Sequence, residues 1–343
     1  MFTALLVAAG LTTFTGTQPQ LAASGAQVYL AFGAGDVVSV ARSTDGGATF
    51  DAPVALPPAG KLALGAHRGP RIAVTRDAVL VASIAGQKGG GADGDVRLYR
   101  STDQGRTWSA PTIVNSVPGA AREGLHGLAA NAAGVVAIAW LDLRQKGTRI
   151  YATVSRDHGV TWRETLVYAA PTGVCECCHP SVAVGDDGRV AVMFRNHLED
   201  RRDMYVIESR DGAVFAPPVK QGAGSWPLEA CPMDGGGLAI DAAGTYAVWR
   251  RETTIFASTT TAGASQSGPE QLIGTGRDPV VSQIDRAPDV AWILDGGVVL
   301  RQAGKPVAAL GPGRFASLLA LPAHTVVAFE QQGRVSVRVV PRK

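Results

Sequence analysis

An eight-residue pattern returns at nearly constant intervals along this chain. It reads Ser-x-Asp-x-Gly-x-Thr followed by an aromatic residue, and it occupies residues 43–50, 101–108 and 155–162. A copy that is one residue shorter occupies residues 209–215, and the four copies begin 58, 54 and 54 residues apart. Regular spacing of this size is typical of proteins built from repeated supersecondary units. The chain is therefore predicted to fold as one repeat architecture.

Each copy of the pattern has the composition of a tight turn between two β-strands. Asp and Ser side chains hydrogen-bond nearby backbone groups, and Gly tolerates a positive φ. An alternating apolar run precedes the first copy at residues 36–41, and a short strand-like run follows the second at residues 110–114. The order of strand, turn and strand predicts an all-β chain, in which the final aromatic residue folds back as a hydrophobic plug.

This pattern resembles the Asp box of the sialidase (BNR) superfamily of β-propellers. Three full copies and one shortened copy carry the resemblance, which extends from about residue 20 to the C-terminus. It implies an all-β fold, a single β-propeller of four-stranded blades with Asp-box turns over residues 18–343. Asp boxes lie far from the active site in sialidases and also occur in other propellers, so the resemblance implies the fold more strongly than an activity.

Seven repeat units are visible in the sequence, although sialidases have six blades. Seven blades are therefore favoured, and six remain the alternative because the last two units are short. The seventh unit lacks an outer strand, which the N-terminal segment can supply. The units are predicted to begin near Gln20, Arg71, Gly127, Pro180, Gly237, Pro279 and Phe315.

The composition limits the classes of partner. Hydrophobic residues make up 46% of the 343 residues and 42 residues are Gly, which suits many short strands joined by turns. The 32 basic and 29 acidic residues give a net charge of +3 without a basic run, so nucleic acid is not an expected partner. No stretch reaches the ~20 apolar residues that a bilayer span requires.

The first residues have two interpretations. Residues 2–12 form an apolar run like the core of a signal peptide, although no Lys or Arg precedes it. Residues 1–17 are therefore either a signal peptide or a strand that closes the propeller. The first interpretation, which we favour, predicts a secreted or periplasmic protein.

The reactive residues collect in two classes of loop that open on one face of a propeller. These are the loops between blades and the loops between second and third strands, and function is often carried by such loops on a rigid scaffold. We expect proton carriers at Glu123, Asp142 and Asp234. We expect ligand-binding side chains at Arg71, His126, Arg144, Arg195, Asn196 and Arg250.

The resemblance to sialidases can be tested residue by residue. As a family, sialidases bind the sugar carboxylate with three arginines, for which Arg71, Arg195 and Arg250 are the candidates, because Arg offers a bidentate fork to a carboxylate. Their tyrosine nucleophile lies in a late blade, but no tyrosine follows Tyr246 in this chain. A hydrolase that uses two carboxylates, such as Glu123 and Asp234, would not need a tyrosine.

The four cysteines leave three alternatives open. Disulfide bonds in an exported protein are favoured, with three complete pairings possible among Cys175, Cys177, Cys178 and Cys231. A copper or zinc site would add His179 and Met233 to these thiolates. Covalent haem c is the third alternative, because residues 175–179 satisfy C-x-x-C-H.

The sequence thus leads to one favoured function and two competitors. The favoured function is that of an exported, monomeric, sialidase-like propeller without a cofactor, whose arginine-rich mouth binds an anionic glycan or another carboxylate ligand. If it is an enzyme, it is expected to be a glycoside hydrolase. The competitors are a non-hydrolytic propeller that holds a soft metal or covalent cofactor through its cysteines, and a platform for protein binding.

Overall fold

The structure, a computed structural model, describes residues 12–342 as twenty-nine β-strands around a central axis. Within these residues there is no helix that is long and apolar enough to cross a membrane. The predicted signal-peptide core falls mainly on residues 1–11, which lie outside the described residues.

The strands form seven sheets, or blades, in the order of the chain. The chain starts with β1 (Thr12–Thr15), and blade 1 contains β2 (Thr17–Ser24), β3 (Gln27–Ala34), β4 (Val37–Ser43) and β5 (Val54–Ala55). Blade 2 contains β6 (Lys61–Leu62), β7 (Arg71–Val74), β8 (Val79–Gly86), β9 (Asp95–Ser101) and β10 (Thr112–Ile113). Blade 3 contains β11 (His126–Ala130), β12 (Val136–Asp142), β13 (Arg149–Ser155) and β14 (Arg163–Tyr168). Blade 4 contains β15 (Ser181–Val184), β16 (Val190–Arg195), β17 (Met204–Ser209) and β18 (Val219–Lys220).

The remaining three blades carry on the same arrangement. Blade 5 contains β19 (Gly237–Asp241), β20 (Gly244–Arg251), β21 (Thr254–Thr261) and β22 (Gln271–Thr275). Blade 6 contains β23 (Arg277–Ile284), β24 (Ala287–Leu294), β25 (Gly297–Arg301) and β26 (Ala308–Pro312). Blade 7 contains β27 (Arg314–Ala320), β28 (His324–Gln331) and β29 (Arg334–Pro341), with β1 as its outer strand.

Each blade is an antiparallel meander of four strands, and the first strand of the meander lies nearest the axis. In blade 2 this inner strand is β7, and β6 is a short addition that pairs with the far end of β8. The prediction of seven blades is confirmed, and the six-blade alternative is wrong. The ring closes because β1 pairs with β29, with Thr12 opposite Val337 and Thr15 opposite Arg334. Closure of this kind leaves few free sheet edges.

The hydrophobic core is divided among the seven interfaces between neighbouring blades. One cluster joins blades 3 and 4 through residues such as Ile150 and Phe194, and another joins blades 7 and 1 through Val326 and Leu30. The second strands β8, β12 and β16 are buried along their whole length because a neighbouring blade covers each of their faces. This explains why they are runs of apolar residues rather than alternating ones.

The repeated pattern forms the turn between the third and outer strands of blades 1 to 4. In blade 2, Ser101 Oγ donates to Asp103 Oδ1 over 2.8 Å, and Thr107 Oγ1 donates to Asp103 Oδ2 over 2.6 Å. The same bonds recur in blades 1 and 3. The aromatic residue at the end of the pattern, such as Trp108 or Trp162, packs into the core shared with the preceding blade. The predicted hydrophobic plug is therefore confirmed.

Candidate functional site

A pocket of about 260 Å³ lies on the propeller axis, at the face opposite the Asp boxes. The inner strands of all seven blades contribute to its wall, so its shape follows directly from the closure of the ring. Besides Gln20, Ser181 and Ser317, six polar or aromatic side chains line the wall. They are Gln18, His67, Arg71, His179, Asp278 and Phe315.

Three of these side chains sit at equivalent bulges in blades 1, 6 and 7. The register of the inner strand shifts at Gln18, Asp278 and Phe315, and each has a positive φ of 56°, 54° or 51°. A non-glycine residue in this conformation is uncommon and often marks a functional position. In each of these three blades, a glycine lies two residues before the bulge residue. This glycine packs against an aromatic ring, so a Cβ atom at its position would clash, and it is the feature of the sequence that marks the bulge.

His67 and Asp278 form a close polar pair in the pocket wall. His67 Nε2 lies 3.0 Å from Asp278 Oδ1, and the two side chains are 13% and 12% exposed. The His67 ring stacks on His179 with centroids 4.9 Å apart, and Phe315 packs edge-on against its side. The pair can therefore hold or transfer a proton at a place that a small ligand can reach.

Arg71 begins β7 and its guanidinium is buried in the pocket wall. Nη1 donates to the carbonyl oxygens of Gly69 and Pro70, and Nη2 donates to that of His67 over 2.7 Å. No carboxylate pairs with Arg71 among the described residues. Burial lowers the pKa of Arg71 to about 10. Its charge is thus held by backbone dipoles alone, and an anion in the pocket would compensate it.

Two neutral imidazoles lie beside Arg71. Burial and the positive charge of Arg71 lower the pKa of His126 to about 3, and burial likewise holds the pKa of His179 well below its ordinary value. His126 Nε2 lies 3.2 Å from the carbonyl oxygen of Ala82, and the Nδ1 atoms of both rings have no partner among the described residues. His126 lies too deep for direct contact with a ligand, whereas His179 lines the pocket.

Asp234 connects several parts of this face. Its Oδ2 accepts from Arg250 Nε over 2.8 Å and from the backbone N–H of Asp278 over 2.9 Å. Its own backbone N–H donates to Cys178 Sγ over 3.4 Å. The carboxylate is 1% exposed, so it positions the Asp278 loop and is not in a place to meet a ligand.

Arg195 and Asn196 join neighbouring loops. The guanidinium of Arg195 donates to the carbonyl oxygens of Arg202, Asp234 and Arg250. Asn196 Nδ2 donates to the hydroxyl of Tyr168 over 2.7 Å. Both side chains are buried, so their polar groups are used in holding loops together.

Asp142 and Arg144 form a closed network at the mouth of blade 3. Asp142 accepts from Trp140 Nε1 and from Arg144 Nε and Nη2. Arg144 also pairs with Glu164 over 2.7 Å and lies 3.8 Å above the ring of Tyr151. Asp142 and Arg144, which the sequence suggests as site residues, are therefore hydrogen-bonded to each other.

Glu123 is the most accessible of the three candidate proton carriers. It is half-buried, and its Oε2 lies 3.7 Å from Arg68 Nη2. Burial raises the pKa of Glu123, and the charge of Arg68 opposes this shift. It lies outside the group of side chains that line the axial pocket.

A compact group of three sulfur atoms lies beside the axial pocket. The Sγ atoms of Cys175, Cys177 and Cys178 lie 3.5, 3.5 and 3.9 Å from one another, and all three residues are buried. Hydrogen bonds with Cys177 and Cys178 lower the pKa of Cys175, and hydrogen bonds with Cys175 and Cys178 raise the pKa of Cys177. Met233 packs against the group.

The expected disulfide bonds are wrong for this structure. All four cysteines are free, and Cys231 is exposed and separate from the buried group of three. His179 is likewise outside this group of sulfur ligands. The local reason is that the three neighbouring thiols lie within 3.9 Å of one another in a buried group, whereas Cys231 is exposed and outside it.

The structure thus places Arg71 in the axial pocket, and His126, Asp234 and Arg250 in the layer behind it. It places Asp142, Arg144 and Asn196 in separate loop networks. Sequence reasoning missed Gln18, His67, Asp278 and Phe315 as pocket residues. The glycines that precede the three bulges would have been the best signal for them.

Comparison with known proteins supports the fold. The family model of the BNR repeat-like domain matches residues 67–224. A comparison with curated proteins gives no significant match. Among solved structures, an α-L-arabinanase from Penicillium chrysogenum is 14% identical with a TM-score of 0.51. The alignment covers 96% of this chain and 98% of that chain.

Two further structures are similar. An ulvan lyase of polysaccharide lyase family PL25 is 11% identical with a TM-score of 0.56, covering 96% of this chain and 94% of that chain. An intramolecular trans-sialidase from leech is 10% identical with a TM-score of 0.52, covering 95% of this chain and 68% of that one. Residues 67–224 are therefore similar to the BNR repeat-like domain, and the chain as a whole has a sialidase-like β-propeller fold that it shares with these glycan-processing enzymes.

Proposed function

We propose that the axial pocket of this propeller binds an anionic sugar residue, and that the protein acts on glycans after export from the cytoplasm. The observation that carries the proposal is the buried guanidinium of Arg71, which lies in the pocket wall without a carboxylate partner among the described residues. A bound carboxylate would supply the missing negative charge. The glycan ligands and substrates of the similar structures support the choice of a sugar.

The pocket suits one sugar residue better than a long chain segment. Its volume of about 260 Å³ is small for a ligand site. Phe315 offers an aromatic surface, and Gln18 and His179 offer polar groups around it. A terminal acidic sugar would enter with its carboxylate toward Arg71.

Calorimetric titration with matched oligosaccharides tests this binding. Sialyllactose and a glucuronate-terminated disaccharide serve as anionic probes, with lactose and a glucose-terminated disaccharide as their neutral counterparts. We expect at least one anionic probe to bind, and we expect Arg71→Met to weaken that binding at least tenfold. Arg149→Met is the control, because Arg149 also donates to backbone carbonyls but lies outside the pocket wall.

Two results would defeat the binding proposal. One is equal affinity for charged and neutral probes, and the other is equal loss of binding in the two arginine variants. Because Arg71→Met removes a buried group, its thermal unfolding is measured in parallel. For the wild-type protein, weaker binding at higher salt concentration gives a second measure of the charge contribution.

A second candidate function is cleavage of the glycosidic bond. It is favoured by the His67–Asp278 pair, which presents an acid or base in the pocket wall. No tyrosine lines the pocket among the described residues, so the tyrosine-based route of sialidases gains no support here. Positioned acid–base groups typically contribute about 10²- to 10⁴-fold to rate.

Product analysis distinguishes cleavage from binding alone. The probes that bind are incubated with the protein, and both new reducing ends and unsaturated uronates are measured, which report hydrolysis and elimination. We expect turnover to fall about 100-fold or more in His67→Gln and in Asp278→Asn. If the wild-type protein forms neither product, cleavage is excluded for these probes and glycan binding remains as the proposed function.

A further inference from the structure

We propose that Cys175, Cys177 and Cys178 form a binding site for one Cu(I) ion, separate from the glycan pocket. The three sulfur atoms already face a common point in the loop between β14 and β15. The site follows from the arrangement of the sulfurs, from the residues around them and from the balance of charge.

The spacing of the sulfurs fits a metal ion. The three distances of 3.5, 3.5 and 3.9 Å define a triangle whose centre lies about 2.1 Å from each corner, close to the ~2.3 Å of a metal–thiolate bond. No rearrangement of the loop is therefore needed for all three atoms to reach one ion. All three residues are at most 7% exposed, so the ion would be shielded from water.

The ligand types favour Cu(I) over Zn(II). Thiolates and thioethers are the soft ligands that Cu(I) prefers, and the thioether-bearing Met233 is the partly buried residue that packs against the three cysteines. A structural zinc ion normally takes four ligands. Among the described residues, no histidine or carboxylate joins the three sulfurs as a fourth ligand.

Two buried arginines supply the balancing charge. Arg202 acts electrostatically on Cys175, and Arg195 acts on Cys178. Neither guanidinium pairs with a carboxylate among the described residues, since both donate their hydrogen bonds to backbone carbonyls. Three thiolates and one monovalent ion leave two negative charges, which these two guanidiniums match. A divalent ion would leave an excess of positive charge in a buried place.

A backbone hydrogen bond completes the surroundings of the sulfurs. The N–H of Asp234 donates to Cys178 Sγ over 3.4 Å, and bonds of this kind orient metal ligands. Asp234 also holds the backbone of Asp278 in the glycan pocket. The ion would therefore fix the loop before blade 4 against the loop before blade 5.

Anaerobic titration of the reduced protein with Cu(I), against a chromogenic Cu(I) chelator, tests the proposal. We expect one Cu(I) per chain, and X-ray absorption of the loaded wild-type protein should show a first shell made of sulfur. Cys175→Ser, Cys177→Ser and Cys178→Ser should each weaken binding at least 100-fold. Cys231→Ser is the matched control and should bind as the wild-type protein does, because Cys231 is exposed and outside the group.

A second pair of variants tests the charge balance without touching a sulfur. Arg202→Gln should weaken Cu(I) binding about tenfold, whereas Arg201→Gln should not, because Arg201 is 55% exposed beside Asp200. Circular dichroism confirms that each variant is folded.

Three results would overturn the proposal. They are failure of the folded wild-type protein to take up Cu(I), loss of binding in Cys231→Ser with retention in Cys177→Ser, and a preference for Zn(II) with oxygen or nitrogen in its first shell. None of these results depends on whether the axial pocket binds a glycan.

Discussion

Arg71 and Arg195 are both buried arginines at the same end of the propeller, but their surroundings give them different roles. Arg195 is enclosed by three loops whose carbonyl oxygens it binds, and the ring of Trp226 lies 5.2 Å from its guanidinium. Arg71 faces the axial pocket. Residue type alone does not separate these cases, which is why the sequence suggests both as ligand-binding residues.

Replacement of Arg195 should therefore affect stability. We expect Arg195→Met to lower the free energy of unfolding by about 3 kcal/mol, because it leaves buried carbonyl oxygens of Arg202, Asp234 and Arg250 without a donor. Urea unfolding measures the loss. The hydrogen bonds of Arg149 are open to solvent, so water can replace the lost donor and Arg149→Met should change stability by less than about 0.5 kcal/mol. Similar losses in both variants would contradict the structural role of Arg195.

The lowered pKa values of the Asp-box carboxyl groups predict how the stability of the fold depends on pH. Hydrogen bonds from Thr49 and Ser43 lower the pKa of Asp45 from 3.8 to about 2, and backbone N–H groups lower that of Asp211 to about 2. A carboxyl group whose pKa is lower in the folded state stabilises the fold above its unfolded value. That contribution is lost as the pH falls through the folded value.

We therefore expect the thermal midpoint to fall as the pH is lowered from about 4 to about 2. The fall should be smaller in the double variant Asp45→Asn with Asp211→Asn, because neither position then titrates. Thermal unfolding monitored at a series of pH values checks this expectation. Equal pH dependence in the two proteins would show that these carboxylates do not stabilise the fold through ionisation.

At the scale of the element, the Asp-box turn also joins neighbouring blades. The glycine of the box in blade 3, Gly159, has a φ of +81°, and a Cβ there would lie 2.2 Å from Leu80 in blade 2. The corresponding Gly212 of blade 4 faces Val154 of blade 3 in the same way. The boxes of blades 3 and 4 thus require glycine both for the turn and for the contact with the previous blade.

The contact with the neighbouring blade can be separated from the turn itself. Gly159→Ala should lower the free energy of unfolding by about 2 kcal/mol or more, through backbone strain and overpacking of Leu80. Gly119→Ala has a similar φ of +71° with no atom near the added Cβ, so it should cost only about 1 kcal/mol. Chemical denaturation of both variants measures the difference. Equal losses would mean that the turn, and not the contact, requires glycine.

The elements were largely predictable because their cause is local. The alternation of apolar residues and the turn residues of the Asp box lie within a few positions of each other, so the strand order and the seven units follow from the sequence. The pocket residues were less predictable, because Gln18, Asp278 and Phe315 depend on bulges in three distant blades. The pairing of His67 with Asp278, 211 positions apart, depends on the closed ring.

At the scale of the whole molecule, the ring is closed by a short strand from the opposite end of the chain. Phe14 in β1 stacks on Phe32 with centroids 5.4 Å apart and meets Phe50 edge-on at 6.1 Å. These contacts join blade 7 to blade 1. The axial pocket needs this closure, because blades 1, 6 and 7 all contribute to its wall.

Weakening the closure should therefore affect both stability and ligand binding. We expect Phe14→Ala to lower the free energy of unfolding by about 2 kcal/mol, less than for a fully buried phenylalanine, because Phe14 is partly buried against the core of blades 7 and 1. Hydrogen exchange should show the greatest loss of protection in β1 and β29, which pair directly. Loss of protection spread evenly over all seven blades would contradict a special role for this strand.

The proposed location of the glycan site on the propeller axis can be tested with a crystal structure of the protein soaked with an anionic oligosaccharide that binds in solution. We predict density for the acidic sugar on the propeller axis, with its carboxylate within hydrogen-bond distance of Arg71 and its ring beside Phe315. Density for the sugar at any other surface, with the axial pocket filled only by water, would show that the axial pocket is not the glycan site.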